Sequence, residues 1–266
     1  MFKNRYFYAM KIKVFDKQIN YQIIHPDWLE SCRPLLIFLH EGLGSIGQWK
    51  DFPEKLSAQM KLPALVYDRV GYGASDFWDG PISYDFLHRE AMEYLPELLK
   101  ALDLPNEYYL FGHSDGGTAA LLHAATQAES LRGIIVEAPH VILEEQSLSG
   151  IRKARLMLRK PDLLERMNRY HNGRAGQLID YWTSFWLRDD VRDWQMLDLL
   201  PKIECPVLLI QGDNDDFGTF RQLDLVAERV CSDYVRVEKR SACGHIPHLQ
   251  QQDWVLEVSK EFLSKF

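Results

Sequence analysis

Residues 108–124 read YYLFGHSDGGTAALLHA, and this stretch decides the fold. Residues 108–111 are apolar, as in a buried strand, and the small residues from Gly116 onward are typical of a helix packed on a sheet. The Gly-His-Ser-Asp-Gly between them matches G-x-S-x-G, whose glycines allow a tight turn that lifts the serine hydroxyl above the sheet edge. We therefore predict Ser114 as a nucleophile; the alternative is a glycine-rich turn with an incidental serine.

The segments around this stretch alternate between strand and helix patterns. Such alternation predicts an α/β fold with a mostly parallel sheet of eight strands, covered by helices on both faces. Residues 6–15 and 18–25 predict a hairpin. Further strands are predicted at 35–39, 65–67, 108–111, 131–136, 207–210 and 235–237, and helices at 48–60, 83–102, 116–128 and 247–266.

The alternation stops between residues 140 and 200, where charged helical patterns replace the strands. We predict one core domain from residues 1–139 and 201–266, with residues 140–200 inserted as an all-helical cap. The cap sequence carries Trp182, Trp186 and Trp194, for which packing inside the cap is the alternative to lining a substrate pocket.

The composition narrows the class of protein. Of the 266 residues, 46% are hydrophobic, enough for a sizeable core, and the formal net charge of −7 argues against nucleic acid as a partner. Charges interrupt the N-terminus, so we expect no signal peptide, no membrane segment and a cytoplasmic location. The four cysteines form no CxxC pair, so we expect neither a metal nor a cofactor. As partners we expect a small-molecule substrate and, at most, a second copy of the chain, as a monomer or homodimer.

A serine nucleophile needs a base and a group that orients the base. His245 follows Gly244 in the loop after the last predicted strand, so we predict it as the base. His248 falls in the first turn of the terminal helix, where a capping or surface role is expected. The orienting acid is expected in the loop after the strand at 207–210, where Asp213, Asp215 and Asp216 compete for the role. For Asp213 and Asp216 the alternative is a turn-forming role.

Two backbone N–H groups are expected to hold the oxyanion of the tetrahedral intermediate. One belongs to Asp115, directly after the proposed nucleophile. The other is expected from the turn at residues 40–44, where we choose Gly42 with Leu43 as a close second. The alternative for that turn is an ordinary glycine-rich loop.

Five motifs in this order resemble the α/β-hydrolase superfamily, in its serine hydrolase branch with a helical cap after the sixth strand. They are HEGLG at 40–44, YDRVGYGAS at 67–75, GHSDG at 112–116, GDND at 212–215 and GH at 244–245. The resemblance covers nearly the whole chain. The resemblance implies the α/β-hydrolase fold and favours Asp215 among the three acids. It therefore implies a catalytic triad of Ser114, Asp215 and His245.

Two residues depart from the family pattern. Glu41 stands where a glycine is usual in the oxyanion turn, and Asp115 follows the serine where many relatives carry Met, Leu or Gln. The alternative for both side chains is a structural role, in which each forms hydrogen bonds with nearby backbone. We expect at least one to face the site and to disfavour anionic substrates. The pocket itself is expected to include His40, Glu41, His113, Trp182 and Trp186.

A hydroxyl nucleophile favours acyl chemistry. The leading hypothesis is hydrolysis of a small, apolar carboxylic ester or thioester, as in the carboxylesterases that the chain resembles. The alternatives are carbon–carbon bond hydrolysis of a vinylogous diketone, as in ring-cleavage hydrolases, and a non-catalytic ligand receptor of the same fold. A peptidase that removes an N-terminal residue would need acidic groups in the cap, for which Glu144 and Glu145 are candidates.

Overall fold

The structure, a computed structural model, describes residues 10–31, 33–105, 107–126 and 129–266. Within these residues eight strands form one sheet in the order β1-β2-β4-β3-β5-β6-β7-β8. The strands are β1 Met10–Val14, β2 Lys17–Ile24, β3 Leu35–Leu39, β4 Ala64–Tyr67, β5 Tyr108–His113, β6 Leu131–Glu137, β7 Val207–Gly212 and β8 Val235–Arg240. The predicted α/β fold is confirmed; residues 6–9 of the first predicted strand and residues 127–128 of the third predicted helix lie outside the described residues.

Strand direction brings the predicted motifs to one edge of the sheet. Strands β3 to β8 pair in parallel, whereas β2 runs antiparallel to both β1 and β4. Leu39 at the end of β3 pairs with Gly112 near the end of β5. The loops that follow β3, β5 and β7, which carry Gly42, Ser114 and Asp215, therefore leave the same end of the sheet.

Helices cover both faces of the sheet. They are α1 Phe52–Met60, α2 Phe86–Arg89, α3 Leu95–Ala101, α4 Asp115–Ala124, α5 Glu145–Met157, α6 Pro161–Asn168, α7 Ala175–Trp186, α8 Arg221–Arg229, α9 Pro247–Gln250 and α10 Gln252–Leu263. Alternate residues of β3 enter two separate hydrophobic cores, Ile37 on one face and Phe38 on the other. Each core seals one face of the sheet from water, which is the main stabilising contribution expected of such layers.

The helix predicted over residues 83–102 is not continuous. A π-helical turn, Glu90–Tyr94, separates α2 from α3. The buried Glu90 carboxylate accepts a hydrogen bond of 2.6 Å from the hydroxyl of Tyr67. Burial raises the pKa of Glu90, although the charge of Arg69 and the Tyr67 bond oppose that rise. A π-helical turn contains more residues than an α-helical turn. The spacing of the apolar residues in the sequence does not reveal this difference.

Between β6 and β7 the chain forms α5, α6 and α7, which lie in the 140–200 segment. The two ends of this segment meet in an isolated antiparallel bridge between Ile142 and Gln195, supported by a 3.0 Å bond from the Met196 N–H to the Val141 carbonyl. None of the helices in the described part of the chain is both long and apolar enough to span a bilayer.

Candidate active site

Ser114 lies in a strained turn between β5 and α4. Its φ of 53° is in the left-handed region that non-glycine residues rarely adopt. A Cβ on Gly116 would overlap the backbone carbonyl of Leu39, and a Cβ on Gly112 would overlap the carbonyl of Gly116. Both glycines are therefore required by close backbone approach. The turn holds the serine at the head of α4, whose N-terminus favours negative charge.

The loops after β7 and β8 bring two further predicted residues to Ser114. Nε2 of His245 lies 3.0 Å from Oγ of Ser114. Nδ1 of the same ring lies 2.8 Å from Oδ1 of Asp215. A carboxylate only accepts hydrogen bonds, so Nδ1 carries the proton and Nε2 is left to accept one from the serine. This is the tautomer that general-base catalysis requires.

Asp215 is distinguished from its acidic neighbours by its contacts. Its Oδ1 also accepts the N–H of Phe217 at 2.8 Å, and its Oδ2 accepts the side-chain amide of Gln211 at 3.1 Å. Although burial opposes ionisation, these bonds and His245 lower the pKa of Asp215. Asp216 is instead exposed and lies 3.6 Å from the ammonium of Lys153. Asp213 is exposed and approaches the N–H of Cys243 at 3.5 Å.

The turn after β3 is held by the side chains of two distant residues, Arg69 and His171. The guanidinium of Arg69 donates to the carbonyls of His40 and Glu41 at 3.1 and 3.0 Å. Nε2 of His171, from the 140–200 segment, donates to the carbonyl of Leu43 at 3.1 Å. Among the described residues no acceptor takes up the N–H groups of Gly42 or Leu43. Both remain candidates for the oxyanion, alongside the N–H of Asp115.

A pocket opens at Ser114 and His245. The remaining lining residues are Asp115, Ala138, Pro139, His140, Leu143, Ser147, Ile151, Trp182, Trp186, Phe217 and Gly218. Most of these side chains are apolar, and several belong to the 140–200 segment.

Three residues expected in the pocket lie behind it instead. His40 is fully buried, with Nδ1 bonded to the Glu41 carbonyl and Nε2 accepting the N–H of Arg69. The side chain of Glu41 turns toward Nδ1 of His113, at 3.4 Å, and His113 is itself fully buried. Trp182 and Trp186 line the pocket. The motifs predict that His40, Glu41 and His113 lie at the pocket, but their polar atoms bond to neighbouring protein groups and none of the three lines it.

Asp115 is the acidic side chain of the pocket wall. It is 1% exposed, and its Oδ2 accepts a 2.9 Å hydrogen bond from the indole Nε1 of Trp182. Its Oδ1 lies 3.8 Å from Nε2 of His140, a ring that sequence reasoning missed. Burial lowers the pKa of His140, so the ring is neutral at pH 7, and its Nε2 has no hydrogen-bond partner among the described residues. The Thr118 hydroxyl donates to the His140 carbonyl and lies 3.3 Å from Nδ1, which places the ring proton on Nδ1 and leaves Nε2 of His140 and Oδ1 of Asp115 as two facing acceptors.

A Cβ at Gly42 would overlap the indole of Trp182 and lie 2.6 Å from Oδ2 of Asp115. The oxyanion turn, the residue after the serine and α7 therefore pack on one another at a position where only glycine fits. The sequence motif identifies Gly42, but the tryptophan that lies against it is 140 residues away in the chain.

The expectation for His248 is corrected by the structure. His248 is buried and donates both its backbone N–H and its Nδ1–H to the carboxylate of Glu137, at 2.6 and 2.5 Å. The reason is that β6 ends on Glu137, directly beneath α9. A buried carboxylate needs such donors, and His248 supplies them.

The acidic residues considered for amine binding in the cap are engaged elsewhere. The carboxylate of Glu144 accepts bonds from Thr219 and Gln222, which join α5 to the start of α8. Glu145 lies 3.1 Å from Arg192 at the surface. Neither lines the pocket.

Comparison with known proteins places this geometry in a family. A model of the alpha/beta hydrolase family matches residues 36–258. The chain is 23% identical over 268 residues to the proline iminopeptidase of Saccharolobus solfataricus, covering 86% of this chain and 84% of that protein. It is 27% identical over 241 residues to the serine hydrolase BPHL of Homo sapiens, covering 85% and 78%.

Solved structures show the same fold at lower identity. A membrane phospholipase A matches with a TM-score of 0.80 at 19% identity, covering 97% of this chain and 86% of that one. A meta-cleavage product hydrolase from Pseudomonas fluorescens IP01 matches with a TM-score of 0.73 at 15% identity, covering 97% and 98%.

Proposed function

This chain belongs to the alpha/beta hydrolase family, and we propose that it is a serine hydrolase that forms an acyl-enzyme on Ser114. The observation that carries the proposal is the continuous relay from Oγ of Ser114 through the His245 ring to Asp215, with contacts of 3.0 and 2.8 Å. The left-handed φ of Ser114 supports it, because backbone strain of this kind clusters at functional sites.

In the proposed reaction Oγ of Ser114 attacks the substrate carbonyl while Nε2 of His245 takes the hydroxyl proton. The carbonyl oxygen becomes an oxyanion, held by the N–H of Asp115 and that of Gly42 or Leu43. His245 then returns the proton to the leaving alcohol, thiol or amine, and the acyl group stays on the serine. Water resolves the acyl-enzyme with His245 again as base, and Asp215 stabilises each imidazolium.

We propose a small carboxylic ester as the substrate class, with a thioester next, and an acyl group that carries an amine close to the scissile carbonyl. The buried Asp115 carboxylate lies one residue from the nucleophile, so its charge opposes an anionic acyl group. A protonated amine would donate to Oδ1 of Asp115 and to Nε2 of His140, which lie 3.8 Å apart. The aromatic and aliphatic wall formed by Trp186, Leu143 and Ile151 suits an apolar remainder.

The proposed preference for an amine also fits a second function, the removal of an N-terminal residue from a peptide. The observation in its favour is again Asp115, since an N-terminal ammonium and an amino ester present the same charge beside the carbonyl. Among the relatives, the proline iminopeptidases have a name that refers to a peptidase activity. Carbon–carbon hydrolysis of an acidic dienone is disfavoured, because it would bring a negative charge to Asp115.

Residues 140–200 are proposed to act as a cap over this pocket, through the side chains of α5 and α7. A cap that excludes water strengthens electrostatic interactions in the site beneath it.

The experiment that tests the function is reaction with a fluorophosphonate, read by intact mass, followed by turnover of nitrophenyl esters. Wild type should gain one adduct and Ser114→Ala none. A wild-type chain that neither labels nor turns over esters, while a ligand raises its Tm, would identify a receptor and overturn the proposal. Parallel assays with amino-acid anilides and coloured dienones separate peptidase and carbon–carbon activities from esterase activity.

A further inference from the structure

His113, the residue before the proposed nucleophile, bridges two other parts of the site. Its Nε2 lies 2.7 Å from the backbone carbonyl oxygen of His245. Its Nδ1 lies 3.4 Å from Oε2 of Glu41 in the oxyanion turn. A carbonyl and a carboxylate only accept hydrogen bonds, so both ring nitrogens have to donate. With Glu41 ionised, the geometry therefore requires the doubly protonated imidazolium.

The charges around His113 favour that cation. Four titratable groups face the ring, namely Glu41, Glu137, His245 and His248. Although burial disfavours the cation, the Glu41 bond and the charges of Glu137 and Glu41 raise the pKa of His113 to about 9. Burial likewise opposes the charge of Glu41, but the contact with His113 holds the pKa of that carboxyl below its ordinary range.

The position of Glu41 is itself constrained. A Cβ on Gly44 would lie 2.5 Å from Oε2 of Glu41, so the glycine leaves the room that the carboxylate occupies. The N–H of Gly44 also donates to the Glu41 carbonyl at 3.0 Å. The turn therefore holds its own carboxylate against His113.

We propose that His113 is a positioning residue: its imidazolium, paired with Glu41, ties the oxyanion turn to the backbone of the base His245. The inference rests on the proposed function, since it assigns no new chemistry to Ser114. Nδ1 holds the turn that follows β3, Nε2 holds the loop that follows β8, and the backbone of His113 leads directly into the elbow. Loss of either ring proton releases one of the three parts.

The alternative role for these side chains is metal binding, because ligand atoms of His113, Glu137 and His248 lie within 4.8 Å of one another. Both nitrogens of His113 are already directed to Glu41 and His245, and Glu137 already accepts two bonds from His248. A divalent ion would have to displace these bonds in a closed interior. The arrangement is explained by hydrogen bonding alone.

The test is the pH dependence of the fluorophosphonate labelling rate for wild type, Glu41→Gln and Glu165→Gln. Glu41→Gln removes the counter-ion of His113 and keeps the shape, so the alkaline fall in rate should move from near pH 9 downward by at least one pH unit. Glu41→Asp should restore part of that shift. Glu165→Gln, at an exposed pair with Arg169, is the matched control and should follow wild type.

An unchanged alkaline limb in a folded Glu41→Gln would overturn the inference, while labelling itself keeps the proposed function intact. Where Glu41→Gln does not fold, the imidazole titration of His113 followed by NMR in the Ser114→Ala chain decides. A midpoint near 9 supports the inference, and a midpoint near the ordinary histidine value overturns it. Absence of wild-type labelling would instead mean that the proposed function has failed.

Discussion

The indole of Trp182 donates a 2.9 Å hydrogen bond to the carboxylate of Asp115, so α7 is joined directly to the residue after the proposed nucleophile. The bond occupies Oδ2 and leaves Oδ1 toward His140 and the pocket. One carboxylate thus contributes both to the attachment of the 140–200 segment and to the charge of the substrate site. These two roles can be measured separately.

The charge role predicts a substrate preference. We expect Asp115→Asn to lower kcat/KM for the nitrophenyl ester of alanine about 10- to 100-fold, because a hydrogen bond to a charged group contributes roughly 1.5–3 kcal/mol. The N-acetylated ester, which has no ammonium, should change less than about threefold on the same scale. Equal losses for both esters would show that Asp115 does not recognise an amine.

The attachment role predicts a difference between two tryptophans of the same pocket. Trp182→Phe removes a donor from a buried carboxylate, whereas Nε1 of Trp186 has no partner among the described residues. We expect Trp182→Phe to lower the free energy of unfolding by about 1–3 kcal/mol more than Trp186→Phe. Urea unfolding of both variants measures this, and equal losses would count against the bond as a stabilising contact.

The assignment of the acid predicts a contrast between neighbours. Asp215→Asn removes the carboxylate that fixes the Nδ1–H tautomer of His245, so kcat should fall about 10⁴-fold at neutral pH. Asp216→Asn alters an exposed side chain paired with Lys153 and should leave kcat within about twofold of wild type. Ester turnover of the two variants is the measurement; the reverse order would make Asp216 the acid.

His171 predicts an acid-dependent loss of stability. Its Nδ1 accepts the N–H of Gly73 at 3.0 Å and its Nε2 donates to Leu43, so the fold needs the neutral ring. Burial, with a smaller contribution from the charge of Arg174, lowers the pKa of His171 to about 4. Because the folded pKa lies below the unfolded value, the stabilisation is complete above about pH 6.5 and is lost as the pH falls toward 4.

The difference between these pKa values corresponds to about 3 kcal/mol. His171→Gln retains a donor and an acceptor but does not titrate, so its unfolding free energy should fall less steeply from pH 7 to pH 4.5. Denaturation curves at several pH values for both chains give the two slopes. Parallel slopes would contradict the role of His171.

The core of the fold was predictable because its signals are local. The elbow of Ser114 combines a strand, two glycines and a helix within a few consecutive residues, and the strands of a parallel sheet are continuous apolar runs. The loops that hold His245 and the three candidate acids could also be located, because each follows the carboxyl end of a strand, but the choice of Asp215 came from the family resemblance. Local patterns of this kind need no knowledge of which distant residues meet.

Most of the polar contacts in and around the pocket were not predictable, because they join residues that are far apart in the chain. Asp115 meets Trp182, and Glu137 meets His248, across 67 and 111 residues of chain. His140 follows a proline outside any periodic segment. Glu41 and His113 each lie inside one of the sequence motifs, but the direction of their side chains depends on which buried partners need donors. Polar partnership inside a core depends on tertiary packing, which hydrophobic periodicity does not encode.

The bridge between Ile142 and Gln195 closes the chain between them into one long loop, whose two ends lie side by side. The entropy of closing a loop grows slowly with its length, so the length of this segment adds little to the closure cost between β6 and β7. If residues 140–200 act as the proposed cap, a chimera that takes a relative's segment between Ile142 and Gln195 should change the substrate preference while Ser114, Asp215 and His245 keep their arrangement.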